Sequence, residues 1–188
     1  YIGLQVGEKV RVTSDNIDAQ NPSYAGKLGM GRINMLKALT INSPSLRLNS
    51  FEVTDGNNNV PQPNDTINIA GTFKNYLDAT VNATVVVTTS SSALTMLNST
   101  SNLGVVSTLG SVSNNSSPFK AIVNSSAPPN TKVEFKLLYT DGSYSDFEYF
   151  SVTINPLYAS TNTNNITTTI NGKGNFGYND YPDNTQGD

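Results

Sequence analysis

The chain has 188 residues and contains neither histidine nor cysteine, so it cannot supply a Ser-His-Asp triad or a Cys-His pair by itself. Only 13% of its residues are charged, the formal net charge is -3, and the eleven lysines and arginines are dispersed, which argues against a phosphate-binding surface for nucleic acid. No apolar run approaches the roughly 20 residues that span a bilayer. The many Asn, Ser and Thr residues favour strands and turns over long surface helices.

Residues 1–40 are predicted to form two short helices around a loop. Val6 and Val10 lie four residues apart, as on one face of a helix, and Asn34 is placed to cap a second helix by accepting a backbone N–H bond. The loop between them, 21–31, has glycine at three spaced positions. Glycine permits positive φ and close backbone contact, so we expect this loop to approach another element closely.

From Ser45 to Pro156 apolar residues alternate with polar ones, which is the period of strands. A change of phase near Asn49-Ser50 predicts a bulge in the first strand. The alternating segments are 46–53, 67–73, 81–87, 94–97, 105–109, 119–123 and a hairpin over 133–154. Short strands with frequent turns predict a mostly β fold, an Ig-like antiparallel β-sandwich preceded by a short helical segment.

The hairpin admits two registers. A two-residue turn at 141–142 would place two carboxylates, Asp146 and Glu148, on the buried face, where an unpaired charge is costly. A loop longer by one residue instead pairs Phe135 with Phe147. We therefore predict the second register, with both carboxylates on the solvent face as surface charges rather than as a catalytic pair.

Other consequences follow from that register. Lys136 would lie opposite Asp146, and a bulge near Tyr149 would be needed to return the later apolar residues to the core. Phe147 and Tyr149 would pack in the core. Tyr144, next to the turn, is left as the candidate for a surface contact with sugar or peptide.

A candidate calcium site lies in the loop after the first strand. Oxygen-bearing side chains occur there at alternate positions, Asp55, Asn57 and Asn59, as in loops that bind hard cations. No bidentate acid follows at EF-hand spacing, so a plain polar turn is the alternative, and no other cofactor is expected. A second acidic group at 180–188 is expected to be a solvated tail.

A resemblance to a known family lies in residues 28–39, which read Leu-Gly-Met-Gly-Arg-Ile-Asn-Met-Leu-Lys-Ala-Leu. This stretch resembles the closing motif of the peptidase domain in subtilisin-like serine proteases, and residues 6–15 are similar to the helix before that motif. In that family both elements pack against the helix that carries the nucleophile. The family's catalytic Asp, His and Gly-Thr-Ser-Met-Ala segments lie upstream of these positions, so no catalytic residue is carried over to this chain.

The resemblance implies a non-catalytic C-terminal accessory region of a secreted bacterial serine endopeptidase, acting in stabilisation, spacing or substrate docking. Residues 1–42 would be the tail of the peptidase domain, 43–156 the sandwich, and 157–188 a linker (157–165) followed by the truncated start of a further β module. Its partners would be the upstream catalytic domain and a protein or glycan substrate, and its location secreted or at the cell surface. The first residues carry no signal-peptide pattern, so we expect the sequence to begin inside a longer precursor.

The apolar residues of the helical segment would lack their family packing partner. We expect them to dock onto the sandwich instead. They are Val6, Val10, Leu28, Ile33 and Leu36. The alternative function is a secreted adhesion or carbohydrate-binding β-sandwich module, suggested by the aromatic hairpin and the low charge.

Overall fold

The structure is a computed structural model that describes residues 2–163, 166–171 and 176–178. Two short helices come first, α1 (Gly3–Val12) and α2 (Met35–Thr40), with single 3-10 turns at Asp18–Gln20 and Pro22–Tyr24 between them. The strands follow: β1 (Leu46–Thr54), β2 (Thr66–Asn75), β3 (Ala83–Thr88), β4 (Leu94–Asn98), β5 (Thr100–Gly104), β6 (Ser111–Ser113), β7 (Phe119–Val123), β8 (Thr131–Asp141), β9 (Tyr144–Ile154), β10 (Tyr158–Thr163), β11 (Ile166–Asn171) and β12 (Phe176–Tyr178).

Two antiparallel sheets form a β-sandwich. One has the order β1-β2-β7-β4, with β6 also paired to β2, and the other has the order β5-β3-β8-β9. The runs β1-β2-β7-β4 and β3-β8-β9 reproduce the two strand orders of an immunoglobulin fold. The predicted class, an Ig-like antiparallel sandwich preceded by a short helical segment, is confirmed.

A single apolar core lies between the two sheets because each strand turns alternate residues inward. In β2 the buried positions alternate from Ile67 to Phe73, and in β8 from Val133 to Tyr139. The rings of Phe73 and Tyr139 meet edge to face across the core, with centroids 6.0 Å apart. Full burial of each such side chain contributes roughly 1.5–3 kcal/mol, so the core is the main source of stability.

The first strand contains the predicted bulge. Its pairing with β2 shifts register between Leu48 and Ser50. Before the shift, Leu46 and Leu48 face the core. After it, Phe51 is 41% exposed, and its ring centroid lies 4.9 Å from that of Phe150. The phase change in the sequence was therefore a correct guide to the backbone.

The strand predicted over 105–109 from alternating apolar residues is wrong, because this segment is a loop between β5 and β6. Val106 is nevertheless buried, because it is held in a loop: its N–H donates to the Thr80 hydroxyl at 2.7 Å, and its carbonyl accepts from Asn75 Nδ2 at 3.0 Å. Val81, predicted at the start of the third strand, lies outside β3 and is 80% exposed. Side-chain hydrogen bonds here replace the ladder that alternation alone would suggest.

The helical segment has the predicted two helices around a loop. Asn34 caps α2, since its side-chain oxygen accepts the Lys37 N–H at 3.0 Å. The loop returns to the end of α1 through a two-residue bridge in which Asp15 and Arg32 exchange backbone bonds of 2.7 and 2.8 Å. Gly31 has φ +99°, and a Cβ there would lie 2.0 Å from the Asp15 carbonyl oxygen, so the close approach expected of this loop occurs.

A third antiparallel sheet, of order β10-β11-β12, follows the sandwich. Tyr158–Thr163 forms β10 where a linker over 157–165 was predicted, because its β-branched and polar residues pair with β11 from Tyr158↔Asn171 to Thr163↔Ile166. The acidic positions expected in the tail, 180–188, lie outside the described residues. The division of the chain into domains stays a prediction.

Candidate functional site

The β8–β9 hairpin has neither of the two predicted registers. Asp141 pairs with Tyr144, so the loop is Gly142-Ser143, with Gly142 at φ +59°. From there the pairing runs without a shift to Thr131↔Ile154, and the predicted bulge near Tyr149 is absent. A Gly-X loop is a favoured two-residue hairpin connection, and a turn centred one residue later than 141–142 explains the whole difference.

The observed register reverses the predicted faces of β9. Lys136 lies opposite Tyr149, not Asp146, and its ammonium group stands 4.7 Å from the ring centroid of Phe147. Tyr149 is 48% exposed rather than part of the core. Tyr144, the predicted surface contact, is only 7% exposed and packs in the core.

Asp146 therefore faces inward, and its side chain is fully buried. Arg11 of α1 binds it with two nitrogens, Nη1 to Oδ1 at 2.6 Å and Nη2 to Oδ2 at 2.5 Å. The Tyr144 hydroxyl donates to Oδ2 at 3.1 Å, and the N–H of Phe147 donates to Oδ1 at 2.8 Å. The charge is thus paired and hydrogen-bonded on both oxygens, which is the condition for burying a carboxylate.

Glu8 extends this cluster toward the first strand. Its Oε2 accepts Arg11 Nη2 at 2.7 Å and the Ser45 hydroxyl at 2.5 Å. Burial acts to raise the pKa of Glu8, but Arg11, Ser45 and Arg47 together lower it below its usual value. Burial likewise acts to lower the pKa of Arg11, and the bonds from Asp146 and Glu8 outweigh it and raise that pKa. Both groups stay charged at neutral pH.

Glu148 joins the edges of the two sheets. Its Oε1 accepts the backbone N–H of Leu48 in β1 at 2.6 Å and the Tyr139 hydroxyl at 2.5 Å. The Leu46 N–H donates in the same way to the Tyr144 hydroxyl at 2.9 Å. Burial, reinforced by the nearby carboxylate, raises the pKa of Tyr139, so this phenol remains a donor. Side chains of β9 thus take the place of a neighbouring strand for β1.

Helix α1 packs on the sandwich through its polar side. The buried residues of this side are Gln5, Lys9 and Thr13, each no more than 9% exposed. Gln5 Nε2 donates to the Tyr76 carbonyl of the sandwich at 2.9 Å, while Lys9 Nζ donates to the carbonyl of Ile41 at the end of α2. The contacts of Gln5, Glu8 and Arg11 form what we call the polar seam between α1 and the sandwich.

Most of the large apolar residues of the helical segment face solvent instead, although Val12 packs against the core of the sandwich. Leu4 is 66% exposed, and Leu36 and Leu39 are 72% and 80% exposed. The prediction that the apolar residues dock on the sandwich is wrong for Val6, Ile33 and Leu36, while Val10 and Leu28 are partly covered. The polar seam already occupies the contact with the sandwich. We call the exposed set the apolar helical surface: Ile2, Leu4, Val6, Ile33, Met35, Leu36 and Leu39.

The candidate calcium loop is held by its own backbone. Asp55 Oδ1 accepts the N–H groups of Asn57 and Asn59 at 2.8 and 2.9 Å, and Gly56 and Asn59 have positive φ. Desolvation acts to raise the pKa of Asp55, but these backbone donors and Val60 lower it. Among the described residues, no three acidic side chains lie together as a group able to hold a metal. Asp55 thus closes the turn through its backbone, and calcium binding at Asp55, Asn57 and Asn59 stays a prediction.

The two carboxylates of β9 are both committed to contacts within the protein. Asp146 and Glu148 face the same interior, and Asp146 is enclosed and bound by two nitrogens of Arg11, so a substrate cannot reach it. No known protein-family model matches the chain, and no curated protein matches it significantly. Among the described residues, no helix is long and apolar enough to cross a membrane. The features that remain are an exposed apolar helical surface and a seam that fixes it to the sandwich.

Proposed function

We propose that this chain is the non-catalytic C-terminal accessory region of a secreted subtilisin-like serine protease. The apolar helical surface packs against the upstream peptidase domain, and the sandwich stabilises that contact. The resemblance of residues 28–39 to the closing motif of that family supports this choice of partner.

The orientation of α1 is the observation that carries the proposal. A helix that has only a sandwich to bind is expected to bury its apolar side. Here α1 buries Gln5 and Lys9, packs Val12 against the core, and leaves Leu4 and Val6 exposed. Exposed apolar residues of this size mark a protein interaction site, and a neighbouring domain that covers them would account for their exposure.

The reading frame upstream of residue 1 offers a direct test. We expect it to encode a peptidase domain that includes a Gly-Thr-Ser-Met-Ala segment. We also expect the chain, assayed alone on casein with and without a serine-protease inhibitor, to give no inhibitor-sensitive turnover. An upstream region without peptidase motifs, or inhibitor-sensitive turnover by the chain itself, would contradict the proposal.

The contact itself is tested in the full-length protein. Replacing Leu36 and Leu39 together by serine should lower the temperature at which peptidase activity is lost, because the contact loses two buried leucines. Val81→Ser is the matched control, since Val81 is as exposed as Leu39, at 80%, but lies on the sandwich. Equal behaviour of the double variant and the control would argue against the contact.

A secreted adhesion or carbohydrate-binding module is the second candidate function. The outward position of Tyr149 on β9 favours it, because an exposed aromatic ring on the solvent face of a sheet is not needed for the fold. The two functions are compatible, since the ring and the polar seam lie on opposite sides of the same sheet.

A further inference from the structure

The outer face of the β5-β3-β8-β9 sheet carries a row of unlike side chains. Cross-strand pairing places Thr88 of β3, Lys136 of β8 and Tyr149 of β9 side by side. Val86, Leu138 and Phe147 form the next row, and Leu138 is 39% exposed. An open sheet face is usually polar, so this mixture of rings, aliphatic groups and charges needs an explanation.

A groove of about 300 Å³ runs along the first of these rows. It is lined by Thr88, Thr89, Ser90, Glu134, Lys136 and Tyr149. Its loop wall is fixed, because the Thr89 hydroxyl donates to the Glu134 carbonyl at 2.7 Å and accepts the Ser91 N–H at 3.2 Å. The groove is therefore formed before any ligand arrives, and its volume is at the lower end of small-ligand sites.

Several groups in the groove have unused bonding capacity. The Glu134 carboxylate makes no hydrogen bond or ion pair with the described residues, and Lys136 contacts ring faces but no carboxylate among them. The ring of Tyr149 stands at 78° to that of Phe147, with centroids 5.9 Å apart. The groove thus combines a rigid aromatic wall with one acceptor carboxylate, one ammonium group and hydroxyls, and its charges cancel.

We propose that this groove, built around Tyr149 and Glu134, binds a neutral saccharide. A pyranose ring has an apolar C–H face that stacks on an aromatic side chain and a rim of hydroxyls that hydrogen-bond to carboxylate, ammonium and hydroxyl groups. The balanced charge of Glu134 and Lys136 selects a neutral sugar over a phosphate or a uronic acid. This proposal deepens the second candidate function and does not depend on the protease assignment.

Titration calorimetry of the whole chain with four soluble probes tests the site: cellohexaose, xylohexaose, mannohexaose and chitohexaose. We expect at least one to bind, Tyr149→Ala to weaken that binding by about tenfold, and Glu134→Gln to weaken it by several-fold. Tyr24→Ala is the matched control, because Tyr24 is 62% exposed but lies in the helical segment, and it should bind as the unchanged protein does. Since Tyr149 is half exposed, its variant should unfold at nearly the same temperature.

Three results would overturn the proposal. The first is no binding of any of the four probes at millimolar concentration, and the second is unaltered binding by Tyr149→Ala. The third is reversible self-association in sedimentation velocity that Tyr149→Ala abolishes, which would assign this face to a second copy of the chain. None of these results bears on the contact proposed for the apolar helical surface, so the two proposals fail separately.

Discussion

Asp146 is an acidic residue placed where water does not reach it. Removing a carboxylate from water costs several kcal/mol unless partners replace the lost hydration. Arg11 supplies two charge-assisted bonds, and Tyr144 and the Phe147 N–H supply one each. Because Arg11 comes from α1 and Asp146 from β9, one ion pair ties residues 135 positions apart.

Asp146→Asn is expected to destabilise the protein by about 3 kcal/mol, because it removes the carboxylate that binds two nitrogens of the largely covered Arg11 and leaves Glu8 as the remaining counter-ion. Urea unfolding measures the loss. Glu52→Gln on the exposed side of β1 is the control and should change the stability by less than about 0.5 kcal/mol. If Arg11→Met and Asp146→Asn were strictly additive in the double variant, the coupling between the two residues would be refuted.

Acid should loosen the helical segment through Asp15. Hydrogen bonds from Lys37, Asn34 and Arg32 lower the pKa of Asp15 from 3.8 to about 2. Because the pKa of Asp15 is lower in the folded state than in the unfolded state, its charge stabilises the folded state fully at pH values above the unfolded-state pKa. This contribution is lost as the pH falls from about 4 to about 2. Hydrogen-exchange protection of the Asp15 and Arg32 amides should fall over that window. In Asp15→Asn, protection should be nearly independent of pH there; the same pH dependence in both proteins would exclude this role of Asp15.

Strands β1 and β9 form an unusual junction at the scale of elements. Each is an edge of its own sheet, and no ladder joins them. The free N–H groups of Leu46 and Leu48 are instead satisfied by Tyr144 and Glu148. This use of side chains protects an edge that would otherwise present unpaired backbone groups to other chains.

Tyr144→Phe should expose that dependence. The change removes one hydroxyl, leaving the buried Leu46 N–H without an acceptor and Asp146 with one donor fewer, at an expected cost of about 1–3 kcal/mol. The Leu46 amide should also exchange faster with solvent. Tyr149→Phe, which removes an exposed hydroxyl from the same strand, should leave both quantities unchanged. Slow exchange of Leu46 in Tyr144→Phe would mean that another group accepts its N–H.

Strand positions were predictable where alternation reports burial directly. The core faces of β2, β7 and β8 follow from the sequence, as do the bulge in β1 and the Asn34 cap, because each depends on neighbouring residues alone. The segment 105–109 was mistaken for a strand because Val106 is buried by loop hydrogen bonds, which leave no periodic signal.

The candidate site was not predictable in the same way. The local pattern argues against burying Asp146 because it shows no partner for the carboxylate, and the partner lies in α1, far away in the sequence. The Gly142-Ser143 turn was available as a local signal, and it would have turned both carboxylates inward. Long-range compensation of charge is therefore the information that the local pattern lacks.

At the scale of the whole molecule, the helical segment makes a polar attachment and leaves apolar residues exposed. The polar seam joins it to the sandwich, and the residues of the apolar helical surface remain open to solvent. Because the seam fixes α1, the exposed residues are held in place rather than free to collapse onto the core. The sandwich therefore behaves as a rigid support for that surface.

This arrangement predicts that the isolated chain exposes apolar surface to which dyes and other proteins can bind. The chain alone should bind the dye ANS, and Leu36→Ser with Leu39→Ser should reduce the dye fluorescence and raise solubility without loss of stability, since both residues are more than 70% exposed. Val81→Ser should reduce the fluorescence much less. Unchanged dye binding in the double variant would place the accessible apolar area elsewhere.

The polar seam also bears on how such a module can be inherited. A recombination point at residue 43, at the predicted domain boundary, would carry Asp146 into its new host while leaving behind Glu8 and Arg11. The transplanted sandwich would then carry Asp146 without the helix that lies over it and without the cation that pairs with it. An exchange that keeps this ion pair must begin before Gly3, inside the segment that the sequence assigns to a neighbouring domain.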